Sequence, residues 1–362
     1  MKIVGCDLHA RQQSVAVLDT ETGELLERTL EHEGEQLRAF YQGLDGPVTV
    51  GIEATGAMQW FLQLMEELGV QCQVGHPAKI RAAETRKQKH DRRDARLILQ
   101  LLTEQRFPQL WMPKSEERDL RTLLRDRHQW VRMRSRVQST LQAIALNHGV
   151  RRGRSLWNKN GGREALVALS LPSYTAQRRD QLLCQYDSLN ERVQELQRQV
   201  EAEAQQRPRA RQLMTHPGVG PVTALATEVF LGDPGRFRNP KAVASYIGMI
   251  PCENSSAKRR RLGEISKEGN SLVRYLWCEA AMHAVNHDPE LKRFYRRKLV
   301  QKGMGIARVG AARKLGIRLW IMLRDQIDYE EFCRRRRQEG ETLAGMPDRN
   351  SGPASAVTGL TE

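Results

Sequence analysis

The N-terminal third of the chain carries a pattern of runs that few folds satisfy. Lys2 to Gly5, Ser14 to Leu18 and Leu25 to Leu30 read as three strands in succession, with turn signals at Thr22 and Gly23. Gln36 to Gly43 then reads as a helix and Val48 to Ile52 as a strand. Trp60 to Leu68 reads as a helix closed by Gly69, and Val70 to Val74 as another strand. Three strands followed by alternating helix and strand predict an α/β mixed sheet.

That order is the one expected of a ribonuclease-H-like fold, and four carboxylates occupy telling places in it. Asp7 follows the first apolar run and Glu53 ends the Val48 to Ile52 run. Asp91 and Asp94 lie three apart at the head of the helical stretch Ala95 to Leu102, a spacing that puts both on one face. Carboxylates brought into one cleft repel unless a cation lies between them. Magnesium suits such hard oxygen ligands, and paired ions of this kind clamp a phosphodiester. Taken singly, each acid is as well explained as a solvated surface group, and Asp91 as a helix cap.

Charge supports a polyanionic partner. The chain of 362 residues has a formal net charge of +15. Residues 1 to 106 hold 13 Lys and Arg against 16 Asp and Glu, whereas the remainder holds 45 against 27. The acidic quartet thus lies on a mildly acidic module and the basic surface on the rest. Six cysteines include no C-x-x-C pair, so zinc-ribbon and redox readings lack support and a reducing compartment is expected. No signal peptide is visible, and no run approaches the ~20 apolar residues that span a bilayer.

Beyond residue 106, Glu116 to Leu146 reads as an Arg-rich helix. A loop rich in Gly, Arg and Lys follows. Leu182, Tyr186, Leu189, Val193, Leu196 and Val200 recur at spacings of four and three, a heptad seam that predicts a coiled coil within the chain or between protomers. Pro217-Gly218-Val219-Gly220-Pro221 stands between helical patterns. Gly218 and Gly220 there either bring backbone N–H groups to a phosphate, as in helix-hairpin-helix DNA binders, or form a plain tight turn. From Gly340 the composition predicts a disordered tail.

Residues 245 to 276 combine serines with cations. Ser255 and Ser256 precede Lys258, Arg259, Arg260 and Arg261, and Ser266, Lys267 and Arg274 come later. Clustered cations can hold a scissile phosphate and stabilise its transition state while a serine attacks. The alternatives are a loop whose serines only donate hydrogen bonds to phosphate, or an ordinary solvated loop.

The motifs resemble, in order, those of the insertion-sequence one-ten family of transposases, the bridge-RNA-guided DEDD recombinases. The resemblance begins at GCDLH (5–9), IEATG (52–56) and KHDRRDA (89–95). It continues at HPGVGPVTA (216–224), FRNPKAVASYIGMIP (237–251) and NSSAKRRRLGEISKEGN (254–270). It implies a RuvC-like Mg2+ site at Asp7, Glu53, Asp91 and Asp94. It also implies a nucleophilic serine, for which Ser255 matches by its distance from Ile265-Ser266-Lys267. Cys6, His90 and Ala257 depart from the residues common at their positions, and the last keeps Ser256 as the alternative nucleophile.

The expected organisation is a RuvC-like DEDD domain with trailing basic helices over 1–150 and a basic loop with a coiled-coil linker over 151–206. A mainly helical C-terminal transposase domain over 207–337 and a disordered tail over 338–362 follow. Gly218, Gly220, Lys258, Arg259, Arg260, Arg261, Lys267 and Arg274 are the expected nucleic-acid contacts. The implied partners are DNA, a guide RNA and further copies of the chain in a homodimer or tetramer, with no membrane. The implied location is a bacterial cytoplasm, at the nucleoid when bound to DNA. The rival enzyme is a metal-dependent RuvC-like nuclease or junction resolvase with water as nucleophile. An actin-like ATPase, or a non-catalytic scaffold for RNA or DNA, are the remaining readings.

Overall fold

A computed structural model describes residues 1–33, 35–84, 91–150, 161–254 and 261–344, which form two compact units, Met1–Ser115 and Glu116–Glu362. In the first, strands β1 (Lys2–Leu8), β2 (Gln12–Asp19) and β3 (Leu25–Glu31) run antiparallel as a meander. β4 (Val48–Glu53) and β5 (Gln71–Gly75) lie parallel to β1, giving the order β3-β2-β1-β4-β5. Helices α1 (Gln36–Gln42), α2 (Gln59–Glu67), α3 (Pro77–Ala83) and α4 (Asp91–Thr103) complete the unit. The mixed α/β sheet expected from the sequence is present.

Strand alternation gives the sheet two different faces. Val4, Cys6, Val50, Ile52 and Val74 are buried in one core with Leu37 and Tyr41 of α1 and Phe61, Leu62 and Met65 of α2. Burying each such large side chain contributes about 1.5–3 kcal/mol. The opposite face carries Gly5 and Gly51, and α4 lies directly on it. A Cβ at Gly5 would come within 2.9 Å of the Leu99 Cα and collide with the Ala95 carbonyl, and one at Gly51 would come within 2.6 Å of the Leu102 Cδ1. Small residues at these positions let the helix backbone sit against the strands. Arg96 of α4 pairs with both carboxylate oxygens of Glu27 on β3, which ties the helix to the sheet.

Among its described residues the second unit is mainly helical, with one β-hairpin. It comprises α5 (Ser115–Asn147), α6 (Gly162–Val167), α7 (Ser173–Gln206), α8 (Pro208–Met214), α9 (Pro221–Leu231) and α10 (Pro240–Tyr246). Strands β6 (Pro251–Glu253) and β7 (Leu262–Ile265) pair antiparallel, and α11 (Ser271–His287), α12 (Pro289–Lys302), α13 (Met304–Asp325) and α14 (Tyr329–Ala344) follow. Helix starts are written locally. Asn239, Asn270 and Asp288 accept the N–H of Ala242, Val273 and Leu291 as caps. The apolar helix α9 lies buried among its neighbours, with Trp277 donating through its indole N–H to Thr227 at 2.9 Å.

The heptad seam is covered within the chain. Leu189 packs with Val137 and Leu141 of α5 in one cluster, and Val200 with Leu120 and Leu124 in another. Arg127 donates to Gln197 at 2.8 Å, Arg134 to Asn190 at 2.8 Å and Gln138 to Tyr186 at 3.4 Å. Numbers rise on α5 as they fall on α7, so the two helices run antiparallel. A role for this seam in joining protomers is therefore corrected, because α5 already occupies it. The C-terminal tail expected from 338 is corrected as well: α14 continues to Ala344, and residues 345–362 lie outside the described residues.

Candidate active site

Asp7 and Glu53 are brought together by the register of two parallel strands. The last paired residues of β1 and β4 are Cys6 and Ile52, and each acid is the next residue on its strand. Alternation from Gly5 and Gly51 places both on the sheet face covered by α4. Carboxyl ends of parallel strands are where open α/β sheets bind ligands. The Asp7 side chain is 14% exposed and lies 3.1 Å from Nε2 of His9 through Oδ2. Glu53 is 35% exposed, and Oε1 lies 3.9 Å from a guanidinium nitrogen of Arg81.

Asp94 is half-buried on the first turns of α4, immediately before Ala95, whose carbonyl abuts Gly5. Asp91 is the first residue of α4, so it shares this helix head, and its side chain lies outside the described residues. Among the described residues no three His, Cys, Asp or Glu side chains converge closely enough to hold a metal ion. The donors on offer at the strand ends, carboxylate oxygens with partial exposure, nevertheless suit a hard divalent cation. Cys6, next to Asp7, lies by strand alternation in the buried core on the opposite face, where burial pushes its thiol pKa up.

The serine segment sits on a rigid base. The backbone N–H of Asn254 donates to the Arg261 carbonyl at 3.0 Å, closing the β6–β7 hairpin. Ser255, Ser256, Lys258, Arg259 and Arg260 fall between these two residues and lie outside the described residues. Below them the chain is locked. The N–H of Ser266 donates to the Ile250 carbonyl at 2.8 Å, and that of Lys267 to the Gly248 carbonyl at 3.1 Å. Gly248 and Gly269 adopt φ of +74° and +80°, and a Cβ on either would run into the backbone of Glu268 or Tyr246.

The expected nucleic-acid contacts divide once their partners are known. Arg274 donates through Nη1 to the carbonyls of Ile247 at 2.9 Å, Glu268 at 2.9 Å and Gly269 at 3.1 Å, so it clamps the hairpin base. Lys267 is paired with Glu264 at 2.7 Å, and Arg261 is exposed at the hairpin's closing pair. Gly218 packs on α11, where a Cβ would lie 2.8 Å from the Ala280 carbonyl oxygen and 3.0 Å from the Ala284 Cα. Gly220 has open space around it and caps α9.

Sequence reasoning singled out neither His9 nor Arg81, although His9 stands inside the quoted GCDLH run and shares the parity of Asp7. It also passed over the clamp made by Arg274. No composition signal separates a cation that grips carbonyls from one that grips phosphates.

Two family descriptions match the chain. One, a DEDD transposase of the IS110 type, covers residues 4–148, and the other, "Transposase IS116/IS110/IS902 family", covers residues 210–296. A "Probable family 20 transposase" of Pseudomonas aeruginosa is 25% identical over 90% of this chain and 98% of its own length. The "Transposase for insertion sequence element IS1111A" of Coxiella burnetii is 24% identical over 81% of this chain and 83% of its own. An insertion element IS110 protein of Streptomyces coelicolor is 29% identical over 40% of this chain and 36% of its own.

Proposed function

Because the chain belongs to the IS116/IS110/IS902 family of insertion-sequence transposases, we propose that it cuts and rejoins DNA with two working centres, the acids Asp7, Glu53, Asp91 and Asp94 and the hydroxyl of Ser255. The observation that carries this reading is the placement of Asp7 and Glu53, each one residue past the last pair between the parallel strands β1 and β4 and on the face that receives α4. The order β3-β2-β1-β4-β5, with three antiparallel strands leading, supports a ribonuclease-H-like unit in which that edge is the reactive one.

In this reading Asp7, Glu53, Asp91 and Asp94 hold a divalent cation, proposed to be Mg2+. When bound, that cation neutralises phosphate oxygens of the DNA. His9 and Arg81 orient Asp7 and Glu53. The Ser255 hydroxyl attacks a DNA phosphorus: a serine oxygen–phosphorus bond forms and one bridging P–O bond breaks. The serine proton is given up, and the released sugar oxygen takes up a proton. Reversal by a new DNA hydroxyl rejoins the strand and regenerates the serine. Lys258, Arg259, Arg260 and Arg261 neutralise the phosphate during both steps. The locked base formed by Gly248, Gly269 and Arg274 holds the hairpin steady.

The family resemblance of the motifs supports a guide RNA that specifies the DNA sites, action in the bacterial cytoplasm, and a working homodimer or tetramer. Among the described residues no helix is long and apolar enough to cross a membrane. The functional division over 1–150, 151–206 and 207–337 is part of this proposal, with acids on the first segment and the serine on the third. Exchange of Asp7→Ala or Asp94→Asn should abolish recombination and weaken Mg2+ binding by calorimetry, while the melting temperature stays within a few degrees. Recombination at wild-type level in both variants would remove the acid centre.

A further inference from the structure

An open groove of about 690 Å³ runs between α5 and the start of α11. Its lining includes His128, Arg132, Met133, Arg136 and Tyr275. His128, Arg132 and Arg136 succeed one another at four-residue spacing and so form one stripe along α5. The His128 and Tyr275 rings meet across the groove with centroids 5.1 Å apart and planes tilted by 46°. Tyr275 is 45% exposed and Met133 50%, so ring and thioether faces are open to solvent. Burial, with Arg132 and Arg127 nearby, moves the His128 pKa down, which keeps the ring neutral and available for stacking.

We propose that this groove binds an unpaired nucleic-acid strand, with Tyr275 and His128 stacking on a base and Arg132 and Arg136 holding its backbone. Exposed aromatic faces beside a cationic stripe are what single strands require, because every base offers a π face and every linkage a negative charge. A duplex keeps its base faces inside the stack and leaves the Tyr275 ring without a partner. The position in the fold gives the site a purpose. Tyr275 directly follows Arg274, whose guanidinium clamps the base of the serine hairpin. A strand in the groove is therefore delivered to the foot of that hairpin. The inference rests on the reading of the chain as a transposase that handles unpaired DNA or RNA.

The test is fluorescence anisotropy of the full chain, in EDTA, with labelled oligo-dT, oligo-U and an abasic backbone of the same length. About ten nucleotides lies within the site sizes of such grooves. Tyr275→Ala should weaken binding of the base-bearing strands about tenfold, and Tyr275→Phe should leave it within about twofold. Exchanging Arg132 and Arg136 together for Ala should reduce the slope of log affinity against log salt by about 1.4. Wild-type protein should bind the abasic strand at least about tenfold more weakly than the base-bearing ones. Tighter oligo-U binding assigns the occupant to RNA and tighter oligo-dT binding to a DNA strand, and both uphold the groove. Unchanged binding by Tyr275→Ala, or equal binding of abasic and base-bearing strands, overturns it. Because the assay needs no cleavage, a silent groove alongside essential acids defeats this inference alone. A wild-type protein that binds none of the strands also overturns the groove, while membership of the transposase family, which rests on the sequence matches, stands.

Discussion

Gly269 carries a constraint that no other residue type meets. Its φ is +80°, and a Cβ there would collide with the Tyr246 carbonyl oxygen and come within 3.1 Å of that residue's carbonyl carbon. The neighbouring Arg274 holds the same turn through the Gly269 carbonyl. Gly269→Ala should therefore cost roughly 1–3 kcal/mol from backbone strain alone, read as a lower midpoint in urea unfolding. Gly263→Ala is the control. It lies on the same hairpin with its nearest neighbour at 3.8 Å, and should cost less than half as much. Equal losses would mean that the turn at Gly269 has no special role. The ISKEGN stretch was read for its serine and its cations, and neither the turn at Gly269 nor the carbonyls that the clamp holds were legible. Arg274 looked like its neighbouring cations because charge alone does not reveal a partner. Asp7 and Glu53 were legible for the opposite reason, since each follows an apolar run whose alternation fixes a face and an end.

At the scale of elements, the antiparallel α5–α7 pair shows what a heptad pattern does and does not encode. The seam at Leu189, Leu196 and Val200 says that one face is buried, and all three are. It does not say which helix covers them, because spacing is the same for a partner in the chain or in another copy. The Arg-rich α5 supplies the cover while its opposite side stays polar. Leu189→Asp or Leu196→Asp places an unpaired charge in that interface. Each should destabilise the fold by roughly 3–5 kcal/mol, seen in urea unfolding. Light scattering should show that the folded fraction keeps its assembly state. Dissociation into folded monomers, with the urea midpoint unchanged, would restore the seam to an interface between protomers. Strands β2 to β5 were read to within a residue or two because alternation and turns mark them locally, whereas β1 runs three residues past Gly5, where its apolar run was read to stop. The extension of α14 to Ala344 was not, since its Glu- and Gly-containing end resembles the polar tail that follows.

Across the helical unit as a whole, one buried polar cluster makes stability respond to pH. His216 is 1% exposed and its ring lies against Tyr329, with centroids 4.5 Å apart and planes tilted by 55°. Arg318 of α13 is paired with Asp288 at the head of α12, and the Tyr329 hydroxyl of α14 donates to Asp288 at 2.7 Å. Burial, opposed by the Pro217 carbonyl and assisted by Arg318, lowers the His216 pKa to about 4. The unfolded chain binds a proton near the ordinary histidine pKa, whereas the folded one does so only near 4. Stability should therefore fall as pH drops from 7 towards 4, by at most roughly 3 kcal/mol from this residue. His216→Gln should flatten that part of the profile in urea unfolding. An unchanged slope would show that other groups carry it.

The claim that most needs testing is that Ser255 and the strand-end acids serve one reaction, breaking and remaking DNA strands. The direct measurement is peptide mapping of protein trapped on its DNA ends, using protein purified with the nucleic acid it carries. Wild-type protein should yield a DNA adduct on Ser255, Ser255→Ala should bind the same DNA without one, and Asp7→Ala should form none. DNA cut to free 5′ and 3′ ends by wild-type protein with no adduct on any serine would contradict the account and identify water as the nucleophile.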